Sequence, residues 1–355
     1  MTFSQRVVSI TQDTILPKIV YNILTDNFIT YRIVGAGKKW TGETLKKPIK
    51  IVKSTLGGSF SGLDTHSTST VESRITLSYD LRGYEMPVSV PGMERAVNAT
   101  ESQVINLVRA ELESAQQDAL DDLGDIFYGD GTGNSSKDFN GLGNLDDDGT
   151  TASTVGNQSR TTYSSLNGTR TASGGTLTLT KISTLLTAVS AGSAPRQRPT
   201  ILISNETVWD LGESLLHATV RANYAANGFP MVTRNSKGVM SEGALKGAQG
   251  FVSIVYRGVP WVADEKSTAQ TLWAVNENYL EWYGLKDSEL ESISLGMSTH
   301  EGVYDDAPSA NTGFQWTGFM KPINQYGVVG HIYLLGNLTT FQPRRHGRLT
   351  GITGV

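Results

Sequence analysis

Between Arg74 and Pro91 the chain alternates apolar and polar residues and changes phase once. Ile75, Leu77, Tyr79 and Leu81 alternate with Arg74, Thr76, Ser78, Asp80 and Arg82; beyond Gly83 the apolar set becomes Tyr84, Met86, Val88 and Val90. Successive side chains of a strand point to opposite faces, so this is a strand with one apolar face whose parity flips, and a bulge or twist is expected at Arg82-Gly83. Upstream, Pro48 to Lys53 carries Ile49 and Ile51 between lysines, and the glycine-rich run Gly57 to Asp64 separates the two arms as a flexible tip. The pattern is a long two-stranded ribbon within 35–90. Such a ribbon is marginal alone in water. It must lie on something, either its own body or another subunit.

Charge is split in a way that suits self-complementarity. Residues 1–93 hold 11 Lys/Arg against 7 Asp/Glu, whereas 94–150 hold 3 against 13. A basic arm of one copy can lie across an acidic surface of the next; a solvated acidic face is the plainer alternative. The overall formal charge of −4 argues against a chain that coats nucleic acid by charge alone. The chain has no Cys, which excludes disulfides, thiolate metal sites and a thiol nucleophile. No apolar run reaches the roughly 18–20 residues of a membrane helix, and the first residues lack a secretory signal pattern, so cytosolic synthesis is expected.

The remaining blocks follow from periodicity. Ile15, Ile19, Ile23 and Leu24 predict a helical piece around Pro17 to Asn27. Val97, Val104, Val108, Leu112, Ala115, Ala119, Leu123 and Ile126 predict one long helix over 92–128, the alternative being two helices broken near Asn98-Ala99-Thr100. Residues 129–175 are poor in apolar groups and read as a functional or poorly ordered loop. Asp146, Asp147 and Asp148 there read as a solvated acidic turn. From 176 onward the chain is mixed. Thr180 opens a helix carrying Ile182, Leu185, Leu186 and Val189 and closed by Gly192; Thr200 to Ser204 is a buried strand; Asn205 caps a helix with Val208, Leu211 and Leu215. Phe251 to Ala263 is a strand, a turn and a strand, Thr271–Val275 and Tyr279–Tyr283 are a strand pair, and Phe314–Phe319 and Val328–Leu335 are late strands. The cluster Arg344, Arg345, His346 and Arg348 faces a neighbour or an interior, or else is a solvated tail.

A search for catalytic chemistry finds little. No two of the five histidines lie within five residues of each other, so no helical zinc pair exists. Gly57-Gly58-Ser59-Phe60-Ser61 fails the nucleophile-elbow pattern, and no phosphate-cradling loop ending in Gly-Lys-Ser/Thr is present. Asp130, Asn134 and Asp138 hint at a Ca²⁺ loop but lack its glycine and its closing glutamate. No catalytic residue, cofactor or metal ligand is expected.

The order of elements is the strongest clue. An amino-terminal arm, a long β-ribbon, a long helix, a Gly-Asp-Gly loop and an α/β body together resemble the major capsid proteins of tailed bacteriophages, the Hong Kong 97-like fold. Local text agrees: Ile126-Phe127-Tyr128-Gly129-Asp130-Gly131-Thr132-Gly133 before Asn140-Gly141-Leu142, the stretch Pro199 to Asp210, and Tyr256-Arg257-Gly258-Val259-Pro260-Trp261-Val262. The resemblance covers nearly the whole chain. It implies an α+β fold with an N-terminal arm (1–34), an extended β-hairpin loop (35–90), a peripheral domain with spine helix and polar loop (91–175), an axial domain (176–285), peripheral return strands (286–322) and an axial C-terminal part (323–355).

It further implies a shell subunit forming pentamers and hexamers of an icosahedral head around double-stranded DNA. The expected partners are other copies, a separate scaffolding protein, a portal protein and decoration proteins, with no membrane, and the location is the virion after synthesis in the host cytoplasm. Contacts between copies are expected from Ile75, Leu77 and Tyr79, and from Lys46, Lys47, Lys50 and Lys53 against Glu111, Glu113, Asp118, Asp121 or Asp122. An encapsulin-like compartment is the alternative on the same fold. A cytosolic α/β hydrolase and a tail-tube or decoration protein are the alternatives of other kinds.

Overall fold

A computed structural model describes residues 28–34, 37–66, 68–98, 107–190, 197–219, 230–234, 240–244, 253–285, 291–292 and 314–354. The helical piece expected at 17–27, and most of the expected N-terminal arm, lie outside these residues. The class is α+β, with two six-stranded sheets carrying the two cores.

The first sheet is built on the long strand β18 (Gly327–Thr340). It pairs antiparallel with β4 (Arg82–Pro91) along Gly327–Gly336, and with β15 (Leu280–Gly284) along Gly336–Thr340. The short strands β1 (Lys38–Lys39), β16 (Glu291–Ser292) and β17 (Phe314–Trp316) complete it. The predicted phase change is real: Val88 and Val90 are buried while Gly83, Glu85, Pro87 and Ser89 are exposed. Its cause is larger than a bulge. Leu81 is where the chain leaves one sheet for another, because β3 (Arg74–Asp80) pairs only with β2 (Thr44–Lys50), with Ile49 opposite Ile75 and Leu45 opposite Tyr79.

The second sheet has the order β12 (Ser253–Tyr256), β13 (Val259–Ala263), β9 (Ile201–Ser204), β14 (Leu272–Val275), β19 (Gly347–Leu349) and β7 (Thr169–Thr171). β12 and β13 are joined at Arg257 and Gly258, both at positive φ (51° and 81°), the geometry of a two-residue hairpin that matches strand twist. Two small pairs, β5 (Thr154–Val155) with β6 (Gln158–Ser159) and β8 (Gly175–Thr176) with β20 (Ile352–Gly354), and a hairpin of β10 (Pro230–Arg234) and β11 (Met240–Ala244), account for the other strands. The strands at Leu272–Val275 and Leu280–Gly284 exist as expected but are not partners. They enter different sheets, because Glu277–Tyr279 turns the chain between them.

The single long helix is not what the structure has. Helix α2 (Gly92–Asn98) and helix α3 (Leu107–Tyr128) are separate. A continuous helix would set Asn98 and Leu107 about 13 Å apart along its axis; instead Asn98 Oδ1 accepts the Leu107 backbone N–H at 3.0 Å, as an N-cap side chain does for its helix. Val97, placed on the predicted stripe, is exposed, and Leu120 and Phe127 join Ala115, Ala119 and Leu123 on the buried face. Phe127 packs edge-on to Trp282 at 5.6 Å and Phe139 does so at 5.1 Å. Helix α1 (Phe28–Val34) is embedded, with Phe28, Ile29, Thr30 and Val34 buried, so this end of the expected arm belongs to the core. Asp264 holds it: Oδ2 accepts from Ile29 N–H at 3.2 Å and from Tyr128 O–H at 2.8 Å.

The second core lies under helices α4 (Leu179–Val189) and α5 (Glu206–Thr219). Leu177, Ile182, Leu185, Leu202, Trp261, Leu272 and Leu349 pack there. The cap of α4 is Thr178, two residues before the expected Thr180, while Asn205 caps α5 as expected, accepting from Val208 N–H at 3.2 Å.

Candidate assembly interface

The arm has two parts with different environments. Its stem, β2 and β3, lies on the subunit's own body. Leu77 is fully buried and Tyr79 nearly so; the Tyr79 hydroxyl donates to the Thr340 carbonyl at 2.5 Å and its ring meets Phe341 at 5.8 Å. The segment 129–171 supplies a ledge beneath β3. Ser78 N–H donates to Gly156 O at 2.9 Å, the Gln158 amide donates to Thr76 O at 3.0 Å, and the Asn157 amide donates to Asp80 at 3.1 Å. Arg82 donates to Gly131 O at 2.9 Å and to Asp138 O, fixing the root. The expectation that Leu77 and Tyr79 meet another copy is therefore corrected: the inner face of the ribbon rests on its own subunit, which leaves those two side chains no outer surface.

Beyond the last pair, Lys50 with Arg74, the ladder ends. The tip carries exposed Val52, Leu56, Phe60, Leu63 and Val71, with Leu63 at 99% exposure. At the other end of the β4–β18 ladder a second exposed apolar group collects Met93, Val97, Met320, Ile323 and Tyr326; Gly92 N–H bonds Tyr326 O at 2.9 Å, bringing α2 against that turn. The ladder between root and patch is ten residues long, roughly 30 Å.

The charged residues divide similarly. Lys46, Lys50 and Lys53 are exposed on the arm, while Lys47 lies 4.0 Å over the Phe341 ring of its own subunit. On α3, Glu111 is exposed and Glu113 and Asp118 are half-buried. Asp121 is already engaged by Lys266 at 2.7 Å, and Asp122 accepts the Tyr84 hydroxyl at 2.7 Å. Both thus have partners within the chain.

The polar block 129–175 is not a loose loop. Phe139, Leu142, Leu145, Val155 and Leu166 are buried, and Asp146 and Asp147 form an internal charge centre. Asp147 Oδ2 accepts from the N–H groups of Gly149, Thr151 and Ala152 at 2.8–2.9 Å, and Oδ1 from Arg348. Burial pulls this carboxyl up, but the backbone donors and Arg348 outweigh it and hold it below the usual carboxylate value. Arg160 reaches the carbonyls of Leu166 and Asn144. The expected solvated acidic turn is thus corrected for Asp146 and Asp147, and the basic cluster divides, with Arg344 exposed, Arg345 half-buried and His346 and Arg348 inside. Asp146, Asp147, His346 and Arg348 are buried, because β19 lies inside the second sheet between β14 and β7, where Arg348 meets Asp147. Among the described residues no three His, Asp or Glu side chains converge as metal ligands, and no helix is long and apolar enough to cross a membrane.

No family model and no curated protein matches the sequence. Solved structures do. The cyanophage A-1(L) capsid asymmetric unit is matched with a TM-score of 0.70 at 12% identity, over 99% of this chain and 100% of that one. The chain has the fold of tailed-phage capsid proteins. The capsid of Myoviridae phage XM1 has the same fold at TM-score 0.54 and 14% identity, over 99% of each chain. So does the holo-SrpI encapsulin from Synechococcus elongatus PCC 7942, at TM-score 0.58 and 11% identity, over 99% and 96%. In the capsid fold found here, the alternating arm and the succession of elements along the chain were legible from sequence. The internal charge centre was missed; a signal for it existed in three aspartates and a C-terminal arginine pattern, but not in their pairing.

Proposed function

We propose that the chain is a shell subunit that assembles with copies of itself into a closed capsid. The observation that carries this is the pair of exposed apolar surfaces in different parts of one subunit: the arm tip beyond the β2–β3 stem, and the Met93–Tyr326 group at the end of the β4–β18 ladder away from the arm's root. A molecule with two different sticky ends associates head to tail, and such contacts close into rings when the rotation permits. Each large apolar side chain buried this way contributes about 1.5–3 kcal/mol.

In this reading the stem is a bracket and the tip is what reaches the neighbour. Residues 91–175 serve as the peripheral part, and 176–285 with 323–355 as the axial part around each symmetry axis. Lys46, Lys50 and Lys53 face Glu111, Glu113 and Asp118 of another copy; exposed pairs are worth only ~0–1 kcal/mol each and set register more than strength. The finer reading is a tailed-phage head of pentamers and hexamers that encloses double-stranded DNA with the help of scaffolding, portal and decoration proteins. An encapsulin-like compartment is the second reading, favoured by the shared fold with the Synechococcus protein.

Negative-stain microscopy of the expressed chain, alone and with a scaffolding partner, tests the assembly: closed shells are expected, and a monomer under all conditions refutes it. Nuclease-protected DNA inside the shells points to the phage head, and co-purified protein cargo to the compartment.

A further inference from the structure

Asp146 differs from its neighbour Asp147. It is 1% exposed, and neither carboxylate oxygen receives a hydrogen bond. Arg348 Nη1 stands 3.4 Å from Oδ1. The charged groups that face it are Asp147 on its own segment, Arg160 after β6, Arg170 on β7 and Arg348 on β19. Its backbone is packed closely against Gly168, where a Cβ would lie 2.0 Å from the Asp146 carbonyl oxygen. An ionised carboxylate without hydrogen bonds is costly in such a place, and a neutral carboxyl much less so.

We propose that Asp146 is a proton-operated catch that fastens segment 129–171 to the C-terminal strand β19. When the segment opens, the carboxyl meets water and releases its proton; when it closes, the carboxylate takes one proton back, no other covalent bond changes, and the hydrogen bonds of the segment to β19 part and re-form with it. The closed state is therefore favoured on the acid side and loosened on the alkaline side. Burial pushes this carboxyl up to about 7, with Arg348 pulling against the shift and Asp147 reinforcing it. The same segment carries the Gly156–Gln158 ledge under the arm. A change at Asp146 is thus felt at the root of the ribbon. The catch belongs to the single subunit and does not depend on the assembly reading.

Backbone amide exchange of residues 145–152 and 348–350 in the full-length chain, wild type and Asp146→Asn, tests this after correction for intrinsic rates. The carboxamide cannot ionise. The ratio of wild-type to variant opening constants is expected to rise about tenfold from pH 6 to pH 8. His346 is buried near Arg348 and is present in both chains, so its own titration cancels in the ratio. A ratio unchanged with pH overturns the proposal. A second measurement needs no variant: carboxyl ¹³C NMR of the Asp-labelled wild-type chain. A transition with a midpoint near 7 is expected, and the absence of any aspartate titrating above pH 6 overturns it.

Discussion

Two leucines on the same arm are expected to behave in opposite ways. Leu77 is fully buried in its own subunit, packed under Gly156, whereas Leu63 is 99% exposed at the tip. Leu77→Ala opens a cavity in the core and should cost about 2–5 kcal/mol of subunit stability. Leu63→Ala touches nothing within the subunit and should change its stability by less than about 0.5 kcal/mol. In the assembled shell the order reverses. Each copy contributes one tip, and burying Leu63 against a neighbour is worth about 1.5–3 kcal/mol. At 1.4 kcal/mol per factor of ten, its loss raises the critical concentration for assembly roughly 10- to 100-fold. Urea unfolding of the unassembled subunit measures the first effect, and sedimentation across a concentration series measures the second. If Leu63→Ala destabilises the subunit as much as Leu77→Ala, or leaves the critical concentration where it was, the division into anchored stem and docking tip is wrong.

Other perturbations follow from single contacts. Arg348→Met leaves Asp147 buried without its guanidinium and should cost about 3–5 kcal/mol; a midpoint shift in urea near zero would show the pair to be unimportant. His346 is fully buried, and burial drags its imidazole down to about 4. Because the folded value lies below the unfolded one, the unfolded chain takes up the proton first. The His346 contribution is therefore whole above pH 6.5 and lost between 6.5 and 4, by at most about 3 kcal/mol. Asp146 acts in the opposite sense over that window, so the comparison is wild type against His346→Gln at pH 5 and pH 7, and equal pH slopes refute it. Gly212→Ala raises helix propensity in α5, yet its Cβ would meet the Trp261 ring at 2.1 Å; a net loss of about 1–3 kcal/mol is expected from overpacking, read as a lower thermal midpoint. Reversing Lys46, Lys50 and Lys53 to Glu should impair shell formation in microscopy while leaving the subunit's unfolding curve in place.

What could be read from the sequence was local. Alternation gave β3 and β4 residue by residue, Asn205 announced its own helix cap, and Phe251 to Ala263 read as the strand, turn and strand that β12 and β13 form. Which sheet a strand joins was not legible. Leu272–Val275 and Leu280–Gly284 look like a hairpin in one dimension, but each pairs with strands far away in the chain. The block 129–175 looked unstructured because its cohesion is ionic and backbone-mediated. Arg348 and Asp147 are 201 residues apart, a spacing that no window along the chain detects. The long helix failed for a related reason. The apolar stripe continues across Asn98, but the carboxamide of that residue is spent on Leu107 N–H, and Val97 faces outward.

The ten-residue ladder between β4 and β18 has a mechanical consequence. Because β3 runs on into β4 through Leu81, a neighbour tugging on the arm loads that ladder lengthwise. Its inter-strand hydrogen bonds lie across the pull. In the proposed shell they would share that load in shear, so that a stretch of the lattice would be borne by the whole strand.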